Sequence, residues 1–370
     1  MGIVRPIFPN IDEIDGGLAE ALKTGQVTNG GRWVTEFEQV LSTYLGVPTL
    51  AFNNGQTALM TMLKAACFSD ARSRHGEVIC PSFTFAATPH AIEWAGGRPV
   101  FADVDPMTMT LDPVDVERKL TVDTVAILGV DPYGIPCDYD ALGNLAADAG
   151  VPFLVDAAAS FGSRYKGRHD VPVTRIFSFH ATKQFSTMEG GALASNDDEL
   201  LDRARRIRNF GQGDDGDCPE VGLNGKMMEI SALVGLAQFA RWNRHSSYRS
   251  AAAINMRSEI MRADIPGVRA PNMPAHLDPM WLYRPIMVDA YELQMTRDEV
   301  ADAMRDRGVM VRKYYSPACH LMACYKRFRE TLPVTEHLAS SVLALPVYND
   351  MSMEEVTRVA WTLREACGLR

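Results

Sequence analysis

The sequence predicts an α/β protein with a large domain, in which helices sandwich a mainly parallel sheet, and a smaller C-terminal α+β domain. Short apolar segments alternate with amphipathic helical segments over the first two-thirds of the chain, a pattern that implies crossover connections between parallel strands. The pattern changes after residue 225. A chain of 370 residues also exceeds one simple core. We therefore expect domains at residues 1–246 and 247–370.

Short apolar runs define the strands of the large domain. The predicted strands are 77–80, 99–102, 124–130, 152–155, 175–179 and 191–195, and helices between them include 57–68, 139–149 and 197–209. Asp112 and Asp138 precede helical runs and are predicted N-caps, because their carboxylates accept hydrogen bonds from the first turn.

The last third of the chain has a different pattern. Residues 211–225 are rich in Gly and Asp, which predicts a loop, and a long helix is expected from Met228 to about Met261. A strand at 282–288, a helix at 297–307, a strand at 309–313 and a final helix from Met353 would complete the smaller domain.

Charge and composition exclude several classes of protein. Lys and Arg number 37 against 46 Asp and Glu, a net charge of −9, so we expect no binding to nucleic acid or to an acidic membrane surface. No apolar run reaches about 18 residues, and the N-terminus lacks the core of a signal peptide. The seven cysteines include no C-x-x-C pair and the histidines are dispersed, which argues against disulfides and a metal site. The chain is expected to be cytoplasmic.

One glycine pattern is misleading. Residues 211–216, GQGDDG, have the spacing of a dinucleotide-binding loop, but they follow a basic helical segment rather than a strand. Their acidic side chains would also repel a pyrophosphate. We expect a loop and no nicotinamide dehydrogenase.

Three other segments indicate a site. The run from Asn53 to Thr57 opens a helix whose free N–H groups could bind phosphate, although for this segment alone a helix cap with a turn glycine is the more ordinary explanation. Asp156 ends an apolar strand and is followed by three alanines; it lies where α/β sheets place ligands, or it caps a helix. Lys183 follows the next strand and is a Schiff-base candidate, although most lysines are solvated surface charges.

Together, these segments match the groups of pyridoxal phosphate. The helix start would bind the phosphate, Lys183 the aldehyde and Asp156 the ring nitrogen, which an acid keeps protonated. The segment 81–85, PSFTF, also offers an aromatic ring that could stack on the cofactor or pack in the core.

The ordered motifs resemble the sugar aminotransferases of the DegT/DnrJ group, which are fold-type I pyridoxal phosphate enzymes. The motifs are NNGQTAL, PSFTFAAT, FADVDP, VDAAASFGSRYKGR, SFHATK…EGGAL and GLNGKMMEI. The resemblance implies that Lys183 forms the Schiff base and that Asp156 pairs with the pyridine nitrogen. It further implies cofactor contacts from Phe85, Gly55, Gln56 and Ser178. Asn224 would reach the phosphate of the partner subunit's cofactor, which implies a homodimer with shared active sites.

The chain departs from the family pattern at three places. Ala159 stands where Gln or His is usual, three residues after the acid, so a contact to the ring hydroxyl of the cofactor is lost or supplied elsewhere. Residues 30–32 are Gly-Gly-Arg where Gly-Pro is frequent, and residues 280–284, MWLYR, replace paired histidines. The last two differences affect which substrate is expected, and not the chemistry of the reaction.

The resemblance implies transamination of a nucleotide-linked keto-sugar, a dTDP-4-keto-6-deoxyhexose aminated at carbon 4, with glutamate as amino donor. Amination at carbon 3 or of a ketocyclitol is the alternative. A dehydratase of the same group would carry histidine at the position of Lys183, and a non-catalytic regulator would need an attached recognition domain. Candidate contacts to the anionic substrate are His180, Arg284, Arg312 and Tyr314, each of which could instead be an ordinary polar residue of its element.

Overall fold

The structure is a computed structural model that describes residues 1–68 and 75–369. Its strands are β1 (Thr49–Phe52), β2 (Glu77–Pro81), β3 (Arg98–Ala102), β4 (Thr124–Val130), β5 (Phe153–Asp156), β6 (Arg164–Tyr165), β7 (Thr174–Ser178), β8 (Gly191–Ala194), β9 (Val268–Arg269), β10 (Leu277–Asp278), β11 (Tyr283–Val288) and β12 (Val342–Pro346). Its α-helices are α1 (Asp15–Thr24), α2 (Arg32–Leu45), α3 (Gly55–Cys67), α4 (Ala87–Ala95), α5 (Pro113–Lys119), α6 (Tyr139–Ala149), α7 (Asp198–Arg208), α8 (Glu229–Phe239), α9 (Trp242–Ala263), α10 (Ala290–Leu293), α11 (Arg297–Asp306), α12 (Pro333–Ser341) and α13 (Met353–Ala366).

Seven strands form the large sheet, in the order β1-β8-β7-β5-β4-β2-β3. The run from β7 to β3 is parallel, whereas β8 is antiparallel to both of its neighbours. The prediction of a mainly parallel sheet is therefore confirmed. The chain reaches the carboxyl end of β7, forms the loop 179–190 and returns along β8.

The sheet is buried on both faces because its strands supply two separate cores. Successive side chains of β2 alternate between them: Ile79 joins one core, while Val78 and Cys80 join the other. Helices α2, α5 and α6 contribute to the first core, and α3, α4 and α7 contribute to the second. This double coverage explains why the strands read as continuous apolar runs rather than alternating ones.

The C-terminal part is built on the antiparallel sheet β12-β11-β9, with α9 packed against α13. The predicted strand at 309–313 is wrong: in that segment Arg312 alone forms a bridge, to Ala344. The strand beside β11 is β12, which the apolar pattern alone did not single out. Residue 246 lies within α9, and the division of the chain at that residue stays a prediction.

The predicted helix from Met228 to Met261 is two helices, α8 and α9, separated at Ala240 and Arg241. Residues 236–246 contain neither Gly nor Pro, so no local signal marks this break. The indole of Trp242 is buried beyond it and donates a hydrogen bond to the Tyr44 hydroxyl, 2.9 Å away. We attribute the break between the two helices to this tertiary contact.

The structure also bears on four other features considered from the sequence: membrane-spanning helices, metal ligands, disulfides and the glycine pattern at residues 211–216. In the described ranges 1–68 and 75–369, no helix is both long and apolar enough to cross a membrane, and no three His, Cys, Asp or Glu side chains cluster as metal ligands would. The seven cysteines are free. Residues 211–216 form turns after α7 rather than a strand-to-helix loop.

Candidate active site

The carboxyl ends of β5 and β7 and the start of α3 face one cavity of about 580 Å³. That volume is within the range for a bound small molecule. Residues 282–283 and 314–315, from the C-terminal part of the chain, close its other side. The cavity thus lies where parallel sheets place ligands.

The first turn of α3 presents unpaired backbone donors. The Asn54 side chain caps the helix by accepting from the N–H of Thr57 at 2.8 Å, which leaves the N–H groups of Gly55 and Gln56 without an acceptor inside the helix. A Cβ atom at Gly55 would lie 2.8 Å from the Cβ of Ser178, so only glycine allows this approach. The positive end of the helix dipole therefore faces the cavity beside the Ser178 hydroxyl.

Asp156 is a buried carboxyl at the end of β5. It accepts hydrogen bonds from the Thr88 hydroxyl at 2.7 Å and from the N–H of Ala158 at 3.1 Å. Burial raises the pKa of this carboxyl, while the two hydrogen bonds and the charge of Lys183 oppose the shift. A positively charged ligand group beside this carboxyl would favour its ionised form.

Lys183 lies in the loop 179–190, and its N–H donates to the carbonyl of His180 at 2.9 Å. Burial lowers the pKa of its amine, although the neighbouring Asp156 raises it. Desolvation therefore increases the neutral, nucleophilic fraction of the amine.

Phe85 provides an aromatic wall. Its side chain is 60% exposed although it lines the cavity, so a ring face is open to a flat ligand. The strand end before it is held by the C-terminal part of the chain. The N–H of Cys319 donates to the carbonyl of Ser82 at 3.0 Å, and the Ser82 hydroxyl lies 2.6 Å from Nδ1 of His320.

His180 and Tyr314, both predicted substrate contacts, line the cavity. Nδ1 of His180 lies 2.8 Å from the Thr182 hydroxyl, and its Nε2 lies 3.5 Å from a carboxylate oxygen of Glu189. The pair borders the side of the cavity open to solvent.

Arg284 is not placed to contact a substrate in this cavity. Because side chains alternate along β11, Tyr283 faces the cavity and Arg284 points away. Its guanidinium is buried, stacks 4.2 Å from the ring centre of Trp281 and donates to the carbonyl of Pro271. We therefore withdraw Arg284 as a substrate contact.

Arg312 is exposed and does not line the cavity, but its charge acts on a residue that does. Burial raises the pKa of Tyr283 to about 12, and Arg312 opposes that shift.

Asn224 lies outside the cavity of its own chain. Its side chain is exposed, and its carbonyl accepts a hydrogen bond from the Asn53 side chain at 3.0 Å. The contact predicted for Asn224 is with the cofactor phosphate of a second copy of the chain, and it stays a prediction.

Residues 10–364 match the model of the DegT/DnrJ/EryC1/StrS aminotransferase family. The chain belongs to this family. It is therefore an aminotransferase, and the resemblance drawn from its sequence motifs is confirmed.

Relatives of this DegT/DnrJ/EryC1/StrS chain include two curated transaminases. It is 32% identical to the dTDP-4-amino-4,6-dideoxy-D-glucose transaminase of Shigella dysenteriae, over 98% of each chain. It is 30% identical to the dTDP-3-amino-3,4,6-trideoxy-alpha-D-glucose transaminase of Streptomyces venezuelae, over 95% of this chain and 92% of that one. Among solved structures, DesI in the presence of its TDP-sugar product superposes with a TM-score of 0.91 at 34% identity, covering 99% of this chain and 93% of that chain.

Aminotransferases of this DegT/DnrJ/EryC1/StrS family use pyridoxal phosphate, and the cavity residues fit that group. A buried carboxyl and a half-buried amine share the cavity, an aromatic ring is uncovered, and a glycine keeps a helix start clear of side chains. The cavity also contains polar residues to which the sequence assigned no role. These are the lining residues Tyr283, Tyr315 and Glu189, and behind the cavity wall lies Thr88, which donates to Asp156. Glu189 and Thr88 belong to the family motifs, Tyr283 belongs to the MWLYR segment, and Tyr315 follows the predicted contact Tyr314.

Proposed function

We propose that this chain binds pyridoxal phosphate and transfers an amino group from glutamate to carbon 4 of a dTDP-4-keto-6-deoxyhexose. The observation that carries the proposal is the shared cavity in which burial shifts the pKa values of the Lys183 amine and the Asp156 carboxyl in opposite directions. An amine and an acid so arranged suit a cofactor with an aldehyde and a ring nitrogen.

The residues that would hold the cofactor surround it on several sides. Gly55, Gln56 and Ser178 would bind its phosphate, Phe85 would cover a ring face, and Asp156 would keep the ring nitrogen protonated. The bound cofactor supplies an electron sink for the carbon that loses its proton. The alanine at 159 provides no polar side chain to this ring, which distinguishes the chain from the family pattern.

Lys183 would move the proton between carbon atoms. Burial favours the neutral amine, which can accept a proton, and the nearby Asp156 carboxylate stabilises the ammonium form that results. The same side chain is thus suited to act as base in one half of the reaction and as acid in the other.

The choice of carbon 4 rests on sequence similarity and on His180. The Shigella dysenteriae relative is named for a 4-amino sugar and the Streptomyces venezuelae relative for a 3-amino sugar. The SFHATK segment favours carbon 4, with His180 and Tyr314 contacting the sugar and Arg312 near the rim. Amination at carbon 3 is the alternative that the second relative supports.

Two measurements test this proposal. Borohydride reduction of the cofactor-loaded protein should leave a pyridoxyl label on the Lys183 peptide, and a label on another lysine would refute the site. The pyridoxamine-loaded protein should then be mixed with nucleotide-linked 4-keto and 3-keto sugars. Recovery of the aldehyde absorbance with a 4-keto sugar is expected, and recovery with 3-keto sugars alone would refute the assignment of carbon 4.

The active unit would be a homodimer whose sites are shared. Among the described residues lining the cavity, Lys183 supplies the one ammonium group and no guanidinium is present, yet a nucleotide substrate and the cofactor both carry phosphate. Asn224 of the partner subunit would bind the cofactor phosphate. Its exposed side chain, outside its own cavity, is available for that contact.

A further inference from the structure

We infer that Asn349 is a positioning residue for Lys183: it fixes the main chain that carries the amine to the wall of the cavity. Asn349 follows β12 and lies far from Lys183 in sequence. The inference rests on the proposed role of Lys183 and goes beyond it, because Asn349 does not line the cavity.

Gln184, the residue after Lys183, is held through its side chain. Its amide nitrogen donates to the carbonyls of Ala159 and Met280, at 2.7 Å for the latter. Both N–H groups are thereby used, which settles the orientation of the amide. Both acceptors are main-chain carbonyls, so the Gln184 side chain ties the lysine loop to the backbone at Ala159 and Met280.

Gln184 is also held through its main chain. Nδ2 of Asn349 donates to the Gln184 carbonyl at 2.9 Å, and Oδ1 of Asn349 accepts from Nη1 of Arg249 at 2.8 Å. A side-chain amide that donates on one side and accepts on the other has one orientation. Asn349 therefore connects the peptide next to Lys183 with a fixed cation.

The guanidinium of Arg249 is buried and makes four hydrogen bonds, all to neutral acceptors, one of which is Oδ1 of Asn349. It donates to the carbonyls of Trp281, Leu282 and Val347 at 2.6, 2.7 and 2.7 Å. Leu282 lines the cavity. One guanidinium thus holds the cavity wall directly and the lysine peptide through Asn349, so the distance between the two is set by a single rigid group.

This arrangement matters because proton transfer depends on where the Lys183 amine stands. A shift of about 1 Å in a reacting group can cost on the order of 100-fold in rate. Asn349 does not line the main cavity, and its hydrogen bond toward the lysine goes to the main chain of Gln184 and not to the Lys183 amine.

The test compares Asn349→Asp and Asn349→Ala with the wild type. An aspartate loses the donor to the Gln184 carbonyl but keeps an acceptor for the buried Arg249 and pairs with its charge, so this variant should still fold. We expect kcat to fall about tenfold in both variants, the scale of one lost hydrogen bond, with KM for the keto-sugar within about twofold. In the cofactor-free protein, amide hydrogen exchange in residues 179–187 should become faster in both.

Asp350→Asn is the matched control, because it removes an exposed ion pair with Arg5 at the next position and should leave both measurements unchanged. Wild-type kcat and exchange in Asn349→Asp would overturn the inference, and so would a lowered melting temperature without a change in kcat. A borohydride label on another lysine would instead refute the proposed function, while the exchange measurement still decides whether Asn349 holds the loop.

Discussion

The Lys183 amine and the Asp156 carboxyl are ionisable groups that burial shifts toward their neutral forms. Their mutual attraction opposes that shift in each. The ionisation of both side chains therefore depends on what is bound in the cavity. A ligand that brings a positively charged ring next to Asp156 restores the ionised form of that carboxyl, and an aldehyde can react with the neutral amine of Lys183.

At the residue scale, Asp156→Asn should separate catalysis from folding. An asparagine can still accept from the N–H of Ala158, and its amino group can donate to the Thr88 hydroxyl, whose own hydrogen can turn to Thr84 at 2.9 Å. We expect turnover to fall by about 100-fold or more, as when a preorganised electrostatic partner is removed, with the free energy of unfolding within about 1 kcal/mol. Steady-state kinetics and urea unfolding give the two values. Normal turnover in this variant would mean that Asp156 serves only as a structural cap for the residues after β5.

The same carboxyl predicts a pH dependence of stability in the cofactor-free protein. Its folded pKa is raised, so between its ordinary value of about 3.9 and that raised value the native state keeps a proton that the unfolded chain has released. The stabilising contribution is present below the ordinary value and is lost as pH rises through the window. Urea unfolding across this range should show that loss in the wild type and not in Asp156→Asn; parallel curves for the two proteins would contradict the raised pKa.

At the scale of elements, the approach of α3 to β7 forms the predicted phosphate site. Gly55→Ala should push the helix start away, because the new Cβ would lie 2.8 Å from the Cβ of Ser178. We expect about 1–3 kcal/mol of destabilisation, as for other overpacked sites, and about tenfold weaker binding of pyridoxal phosphate in a fluorescence titration.

Gly16→Ala is the control for that change. A Cβ at this position in α1 meets nothing within 4 Å, so the substitution should leave cofactor affinity unchanged and stability equal or slightly higher. Equal cofactor affinity in Gly55→Ala and Gly16→Ala would show that the close approach of α3 and β7 does not serve the phosphate.

The sequence predicts the location of a site residue when that residue lies at the end of a parallel strand, but not when it lies inside a strand or depends on a distant contact. Asp156 and Lys183 were predictable because they follow parallel strands, whose carboxyl ends meet at one edge. The orientation of Arg284 was not, since the sequence does not show which face of β11 is turned to the cavity, and the neighbouring strand β12 was not predicted. The contact of Asn349 with Gln184 joins distant parts of the chain, and no local pattern records it.

At the scale of the whole molecule, complementation tests the shared site. Lys183→Ala subunits and Asn224→Ala subunits should each be nearly inactive as homodimers. After subunit exchange, the mixture should recover activity, because each heterodimer pairs one site that lacks both groups with one intact site. Exchange is verified by mass spectrometry of labelled subunits. Failure to recover activity, or a fully active monomer in sedimentation, would contradict the shared site and leave Lys183 and Asp156 unaffected.

The contacts of the cavity with the C-terminal part of the chain also have a consequence for synthesis on the ribosome. The large sheet has all its strands once Ala194 has been added, but the groups that hold Ser82 and Gln184 come later, at Cys319 and Asn349. At roughly 5–20 residues per second, the ribosome needs about 8–30 s to go from Ala194 to Asn349. During that interval a nascent chain has the strands of its sheet but an unfinished cavity, so we expect it to bind pyridoxal phosphate only after Asn349 has been added and has folded against Gln184.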